Sequence, residues 1–143
     1  MLKRYSLIIL GLISLCWVFT AQAESPSVHK VVIQVSSPDP QTQQLALNTV
    51  ANLLSDVGID KIKIEVVAFG PGLSLLTPMS PESVRIPSLA MQNVTFSACG
   101  NTINGITRAT GQPPVLVQGV QVVAGGVEHI IKLQEQGYSY IRP

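Results

Sequence analysis

The fold is decided by residues 94–102, which have the sequence VTFSACGNT. An apolar, β-prone run ends at Cys99, and Gly-Asn-Thr follows where a new element should begin. If the run is a buried strand and the next segment a helix, the Cys99 thiol lies between a strand C-terminus and a helix N-terminus. Backbone N–H groups and the positive end of the helix dipole stabilise a thiolate at such a junction, and the thiolate is the nucleophilic form.

On both sides of this stretch, apolar strands alternate with amphipathic helices. The pattern predicts strands over residues 31–35, 61–69, 94–97, 118–124 and 138–141. It predicts helices over residues 41–57, 101–109 and 127–136, and a short helix beginning near residue 80. This order is typical of a single α/β domain with a mostly parallel sheet of about five strands. Ligands collect at the C-terminal ends of the strands in such sheets, where Cys99 and residues 70–72 fall.

The first 23 residues have the pattern of a cleavable export signal. Lys3 and Arg4 supply positive charge, residues 7–19 form an apolar core, and residues 21–23 are an A-x-A cleavage site. We therefore expect a signal peptide at residues 1–23 and a mature domain at residues 24–143. The expected location is the periplasm, with no stable membrane span after cleavage because the apolar core is short.

Cleavage would leave Cys99 as the only thiol, because Cys16 lies in the signal. A single cysteine in an oxidising compartment is buried and inert, paired between chains, or kept reactive. The residue type alone slightly favours burial, since free cysteines are among the most buried residues. A lipoprotein acylated at Cys16 is an alternative form of export, although Leu15 and Trp17 are bulky neighbours for that modification.

Charge and motifs exclude several functions. Without Lys3 and Arg4, seven basic residues stand against eight acidic ones, so the mature net charge of −1 does not favour nucleic acid or an anionic membrane. Residues 70–72 (GPG) lack the lysine and hydroxyl of a P-loop and do not form G-x-G-x-x-G, so no nucleotide or flavin cofactor is expected. His29 and His129 fall in no metal-ligand spacing, so no metal is expected either.

Six further residues are candidates to line a site around the thiol: Gly70, Gly72, Arg85, Gly100, Asn101 and Thr102. Asn101 and Thr102 carry groups that donate hydrogen bonds to a thiolate or persulfide, although capping of the next helix is the alternative interpretation. Arg85 would supply positive charge near the sulfur or else lie solvated on the surface. The glycines at residues 70 and 72 permit either a tight turn or the close approach of a ligand.

Six segments together resemble the DsrE/DsrF-like family over essentially the whole mature chain. The most specific are Ala-Cys-Gly-Asn-Thr at residues 98–102 and Leu-Gln-Glu-Gln-Gly-Tyr at residues 133–138; the others lie at residues 31–35, 48–52, 67–73 and 85–86. The resemblance implies a three-layer domain of flavodoxin-like appearance that forms homo- or hetero-oligomers. Some members relay sulfur as a persulfide on a cysteine, in sulfur oxidation or in transfer-RNA thiolation.

Only Cys99 matches the sulfur-carrying role. The resemblance therefore implies a homo-oligomeric sulfur carrier, sulfurtransferase-like or thiol-redox protein. Its partner would be a protein or a small sulfur compound that donates or accepts sulfur. The export signal differs from the cytoplasmic sulfur relays of the family. A second interpretation is a non-catalytic oligomeric binding or accessory protein in which Cys99 is a buried structural residue.

Overall fold

The structure, a computed structural model, describes residues 28–143. In this range the strands are β1 (His29–Val35), β2 (Ile62–Ala68), β3 (Val94–Cys99), β4 (Val120–Val123) and β5 (Ser139–Ile141). The helices are α1 (Pro40–Val57), α2 (Arg85–Ala90), α3 (Gly100–Thr110) and α4 (Gly126–Glu135), with a 3-10 helix at Gly70–Leu76. None of these helices is both long and apolar enough to cross a membrane.

Local signals set the boundaries of α1. The Asp39 carboxylate caps the helix by accepting a hydrogen bond from the Thr42 backbone N–H at 2.8 Å, and Pro40 begins the first turn. Gly58 ends the helix with a φ of 93°, a conformation that favours glycine. One face of α1 is buried against the sheet because its apolar residues recur at helical spacing.

The five strands form one parallel sheet in the order β4-β3-β2-β1-β5. From β1 to β4 each new strand is added on the same side, so right-handed crossovers place α1, the 3-10 helix, α2 and α3 on one face. Flavodoxin itself has the order 2-1-3-4-5. Here β5 lies at the edge opposite β4, so α4 returns across the other face. Its 10 residues give a helix of about 15 Å, about three strand spacings.

The two faces of the sheet carry cores of very different size. The face under α1, α2 and α3 holds a large cluster of buried aliphatic side chains around Phe96. On the other face, Val32 and Val67 of the sheet meet Ile130 and Leu133 of α4. Polar side chains also lie buried on this second face, so α4 is attached by a small apolar core together with polar contacts.

The 3-10 helix packs against the end of β1 at Gly72. A Cβ atom at this position would overlap the Val35 backbone and lie 2.7 Å from Ser36 Cα. Only glycine therefore allows this approach, which buries Leu73, Leu75 and Leu76 in the large core.

The prediction of an α/β domain with a parallel five-stranded sheet is confirmed, with helices on both faces. The predicted strands and long helices overlap the observed ones. At residues 70–72 the sequence allowed a tight strand-to-helix turn or a role in lining a site, and the structure shows a 3-10 helix that begins there. The short helix expected near residue 80 begins at Arg85. The predicted signal peptide at residues 1–23 lies outside the described residues.

Replacing Gly72 with alanine should lower the free energy of unfolding by about 1–3 kcal/mol, because the methyl group overlaps backbone atoms that cannot move aside cheaply. Gly105→Ala is the matched control: Gly105 lies inside α3, and an added Cβ meets only the Arg108 side chain, at 4.0 Å. That substitution should raise the free energy of unfolding by about 0.5–1 kcal/mol. Urea denaturation measures both values, and an unchanged Gly72→Ala midpoint would contradict the packing described here.

Candidate functional site

Cys99 is the last residue of β3 and the N-cap of α3. Its side chain points to the sheet face that α4 crosses, and its Sγ accepts a hydrogen bond from the Gly126 N–H at 3.2 Å. The residue is a free cysteine and is 5% exposed. The thiol therefore lies at the strand-to-helix junction that the sequence indicates, enclosed by the first turns of α3 and α4.

Gly126 makes this contact because it has no side chain. A Cβ atom there would lie 3.2 Å from Cys99 Cβ and 3.1 Å from the Phe69 side chain. Any other residue would push the first turn of α4 away from the sulfur. Gly126 is not among the residues that the sequence predicted to line the site. The available signal was a glycine pair that directly follows a strand and opens a helix.

Two opposing effects set the pKa of the Cys99 thiol. Burial is the largest single influence and raises it, because the thiolate loses solvation. A hydrogen bond from the Thr102 side chain, the Gly126 N–H, and the backbone N–H groups of Thr102 and Asn101 lower it. Together the donors prevail, so the pKa of Cys99 lies below its ordinary value.

Thr102 links the sulfur to the 3-10 helix. Its Oγ1 accepts a hydrogen bond from the Gly70 N–H at 2.8 Å, and the same side chain is among the groups that lower the pKa of Cys99. Gly70 has a φ of 54°, which a residue with a side chain rarely adopts. Thr102 also lines an apolar cleft of about 360 Å³ between the 3-10 helix and α3, with Gly70, Leu73 and Ile106 in its walls. The structure therefore places Thr102 beside the thiol and Gly70 next to Thr102.

Gly100 and Asn101 fix the start of α3 against the loop after β4. A Cβ atom at Gly100 would lie 3.0 Å from the Val123 carbonyl oxygen, and the Asn101 N–H donates to the Ala124 carbonyl at 3.1 Å. The Asn101 side-chain amide lies beside Gly125. These two predicted residues therefore contribute through the backbone, by holding the first turns of α3 and α4 together.

Arg85 and Gly72 are placed differently from the residues above. The Arg85 guanidinium forms an ion pair with Glu82 at 2.7 Å and is not among the groups that shift the pKa of Cys99. Gly72 contacts the end of β1, as described above. The positive field at the sulfur comes from N–H and O–H dipoles, without a lysine or arginine among the groups that act on it.

Residues 28–143 contain no group of three or more histidine, cysteine or acidic side chains arranged to hold a metal ion. His29 lies at the N-terminal end of β1, and Cys99 lies at the C-terminal end of β3. His129 lies on α4 and hydrogen-bonds Glu65. The chemistry that the described groups offer is therefore that of a stabilised thiolate.

A family model described as the DsrE/DsrF-like family matches residues 29–143. The chain belongs to the DsrE/DsrF-like family. It is similar in structure to a protein of unknown function, MTH1491, from Methanobacterium thermoautotrophicum, with 37% identity and a TM-score of 0.71 over 80% of this chain and 99% of that one. It also shares its fold with the ychN protein from E. coli, with 15% identity and a TM-score of 0.62 over 81% and 100% of the two chains. A comparison with curated proteins gave no match.

This DsrE/DsrF-like domain also contains a partly buried polar cluster that the sequence analysis did not identify. It consists of Glu65, Ser97, Gln121 and His129, and it lies between α4 and the sheet. Each of these residues comes from a different element, and each interrupts an apolar pattern that was interpreted as strand or helix. The sequence does contain a signal for this cluster. Glu65 and Ser97 are polar residues at strand positions that are normally apolar in a parallel sheet.

Replacing Thr102 with valine should raise the pKa of Cys99, because the substitution removes a hydroxyl donor to the sulfur. At a fixed pH below the pKa, the thiolate fraction falls and alkylation by iodoacetamide slows. The rate measured against pH gives the pKa in both proteins. Thr107→Val is the control, because the Thr107 hydroxyl in the same helix bonds only the Ile103 carbonyl, at 2.9 Å. Equal pKa values for the wild type and Thr102→Val would remove Thr102 from the site.

Proposed function

We propose that this protein is an exported sulfur carrier of the DsrE/DsrF-like family, in which Cys99 accepts and passes on sulfane sulfur as a persulfide. The observation that carries the proposal is the Cys99 sulfur at the C-terminal edge of the sheet, hydrogen-bonded by the Gly126 N–H. Membership of a family associated with sulfur relay supports the same chemistry. The protein would act as a carrier, returning to its starting thiol after each transfer.

The transfer proceeds in two displacements. The Cys99 thiolate attacks the outer sulfur of a donor persulfide; a new S–S bond forms, the donor S–S bond breaks, and the donor leaves as a thiolate with the electron pair. An acceptor thiolate then attacks the outer sulfur of the Cys99 persulfide and regenerates the Cys99 thiolate. Sulfane sulfur moves without net oxidation, so no external oxidant or reductant is needed.

The site suits the charge changes of these steps. The Gly126 N–H and the Thr102 hydroxyl stabilise negative charge on Sγ, both before attack and when the cysteine is the leaving group of the second displacement. The Cys99 residue is only 5% exposed, which favours a slender donor such as inorganic polysulfide over a folded protein surface.

Burial of Cys99 also favours a second function, that of an oligomeric binding or accessory protein in which the thiol is a packing residue. In that case the cleft beside Thr102 would serve as the ligand site. A thiol-reactive probe applied to the native protein separates the two functions. Labelling of Cys99 at a rate close to that of the unfolded protein supports the carrier, and an inert Cys99 supports the accessory protein.

Exposure to polysulfide should add sulfur to Cys99 in the wild type and not in Cys99→Ser, because serine cannot form a persulfide. Intact mass measures the addition, and peptide mapping assigns it to Cys99 separately from Cys16. A colourimetric acceptor assay with a low-molecular-weight thiol should then show release of the added sulfur. Equal sulfur addition to the wild type and Cys99→Ser would exclude Cys99 from the mechanism.

Export to the periplasm is part of the proposal and rests on the charge, apolar core and cleavage pattern of residues 1–23. The protein recovered from the periplasm of a Gram-negative host should begin at Glu24. Ala23→Asp should block this cleavage, because a charged residue replaces the small one that the A-x-A site requires. N-terminal sequencing of the fractionated protein is the measurement, and a cytoplasmic product beginning at Met1 would contradict export.

A further inference from the structure

The polar cluster beneath α4 joins four elements of the fold, with Glu65 and Ser97 buried, His129 partly buried and Gln121 exposed at the edge strand. His129 Nε2 of α4 lies 2.6 Å from Glu65 Oε1 of β2. The same carboxylate oxygen accepts a hydrogen bond from the Ser97 hydroxyl of β3, and the Gln121 amide of β4 donates to Ser97 Oγ at 2.9 Å. Glu65 is 7% exposed and Ser97 fully buried. Burying a carboxylate raises the free energy of the folded state unless the group is hydrogen-bonded. The hydrogen bonds from His129 and Ser97 therefore stabilise Glu65 in this position and fix the positions of the two donors.

The cluster is close in sequence and in space to the sulfur site. Ser97 and Cys99 are alternate residues of β3 and point to the same face of the sheet. His129 is one helical turn after Gly126 in α4, and its N–H bonds the Gly125 carbonyl at 2.9 Å. The first turn of α4 therefore has the Cys99 sulfur at one end and Glu65 at the other.

Besides the Cys99 and Glu65 contacts, this first turn is held by the Asn101 N–H, which bonds the Ala124 carbonyl just before it, and by Phe69 beside Gly126. It places few apolar side chains of its own on the sheet. The apolar contacts of α4 are made by Ile130 and Leu133, which follow the first turn and pack on Val32 and Val67. The turn itself begins with Gly125 and Gly126, which provide no side chain to pack. Val127 and Ile131 are more than half exposed, and Glu128 pairs with Lys132 on the outer surface of the helix.

We propose that His129 and Glu65 are positioning residues for the sulfur site: their hydrogen bond holds the first turn of α4 on the sheet and keeps the Gly126 N–H on the Cys99 sulfur. The inference rests on the proposed role of Cys99 as a sulfur carrier. Neither residue touches the sulfur. Their effect passes through the backbone between residues 126 and 129, which is one rigid turn of helix.

The decisive comparison is among His129→Ala, His129→Gln and Lys132→Ala. Alanine removes the bond to Glu65, and glutamine retains one N–H donor at that position. Lys132→Ala removes an exposed ion pair with Glu128 on the same helix. The pH dependence of Cys99 alkylation gives the thiol pKa of each variant. Amide hydrogen exchange at Gly126 reports whether its N–H is still held, which a direct charge effect of the histidine would not alter.

In His129→Ala the pKa of the Cys99 thiol should rise by about one unit, because the Gly126 N–H no longer bonds the charged sulfur. Below the pKa, that shift is a tenfold loss of thiolate. Exchange at Gly126 should become faster in the same variant. His129→Gln should lie between His129→Ala and the wild type, and Lys132→Ala should match the wild type. Circular dichroism checks folding; if His129→Ala does not fold, the shift in His129→Gln decides the question.

An unchanged thiol pKa and unchanged Gly126 exchange in a folded His129 variant would overturn the positioning role. So would a shift of the same size in Lys132→Ala, since any disturbance of α4 would then suffice. Failure of the proposed function has a different signature. If polysulfide adds no sulfur to wild-type Cys99 while His129→Ala still shifts the pKa and the exchange, the carrier function is wrong and the positioning role stands.

Discussion

The contact between Gly126 and Cys99 depends on the strand order of the sheet. Because β4 and β5 lie at opposite edges, the chain must return across the whole sheet after β4, and α4 makes that return. Its first turn begins at the C-terminal end of β4, beside the end of β3 where Cys99 lies. Two helix N-termini, those of α3 and α4, thus meet at one thiol. Because Gly126 has no side chain, the start of α4 can lie in direct contact with Cys99.

Within residues 28–143, this arrangement stabilises a thiolate through dipoles, and no lysine or arginine of that range is among the groups that shift its pKa. Burial alone would raise the pKa of Cys99, and the hydroxyl and N–H donors around it reverse the direction. Dipoles held by helix turns are already oriented, so they stabilise a developing charge without reorganisation. A site of this kind favours exchange between sulfur atoms, in which negative charge moves from one sulfur to the next. Under the positioning role proposed above, the thiol pKa would depend on small shifts of α4, which has the smaller of the two cores.

The sequence analysis placed most elements correctly because their signals are local. Asp39, Pro40 and Gly58 mark the ends of α1 within a few residues of where they act, and the β-branched run of β1 fits a strand buried on both faces. The conformation after β2 was left open between a turn and a site-lining loop for the opposite reason. A Gly-Pro-Gly segment is compatible with several turns, and its conformation was selected by contact with the end of β1, far away in sequence.

By itself, the sequence determined the α/β architecture, the position of Cys99 at a strand-to-helix junction and membership of its family, since periodicity, caps and motifs are readable over short stretches. Only the tertiary structure decided what surrounds the thiol. Gly126 and Gly70 reach Cys99 and Thr102 from other elements, Arg85 pairs with Glu82, and His129 meets Glu65 across 64 residues. Such contacts depend on strand order and on which face each helix covers, and no local pattern encodes either of them.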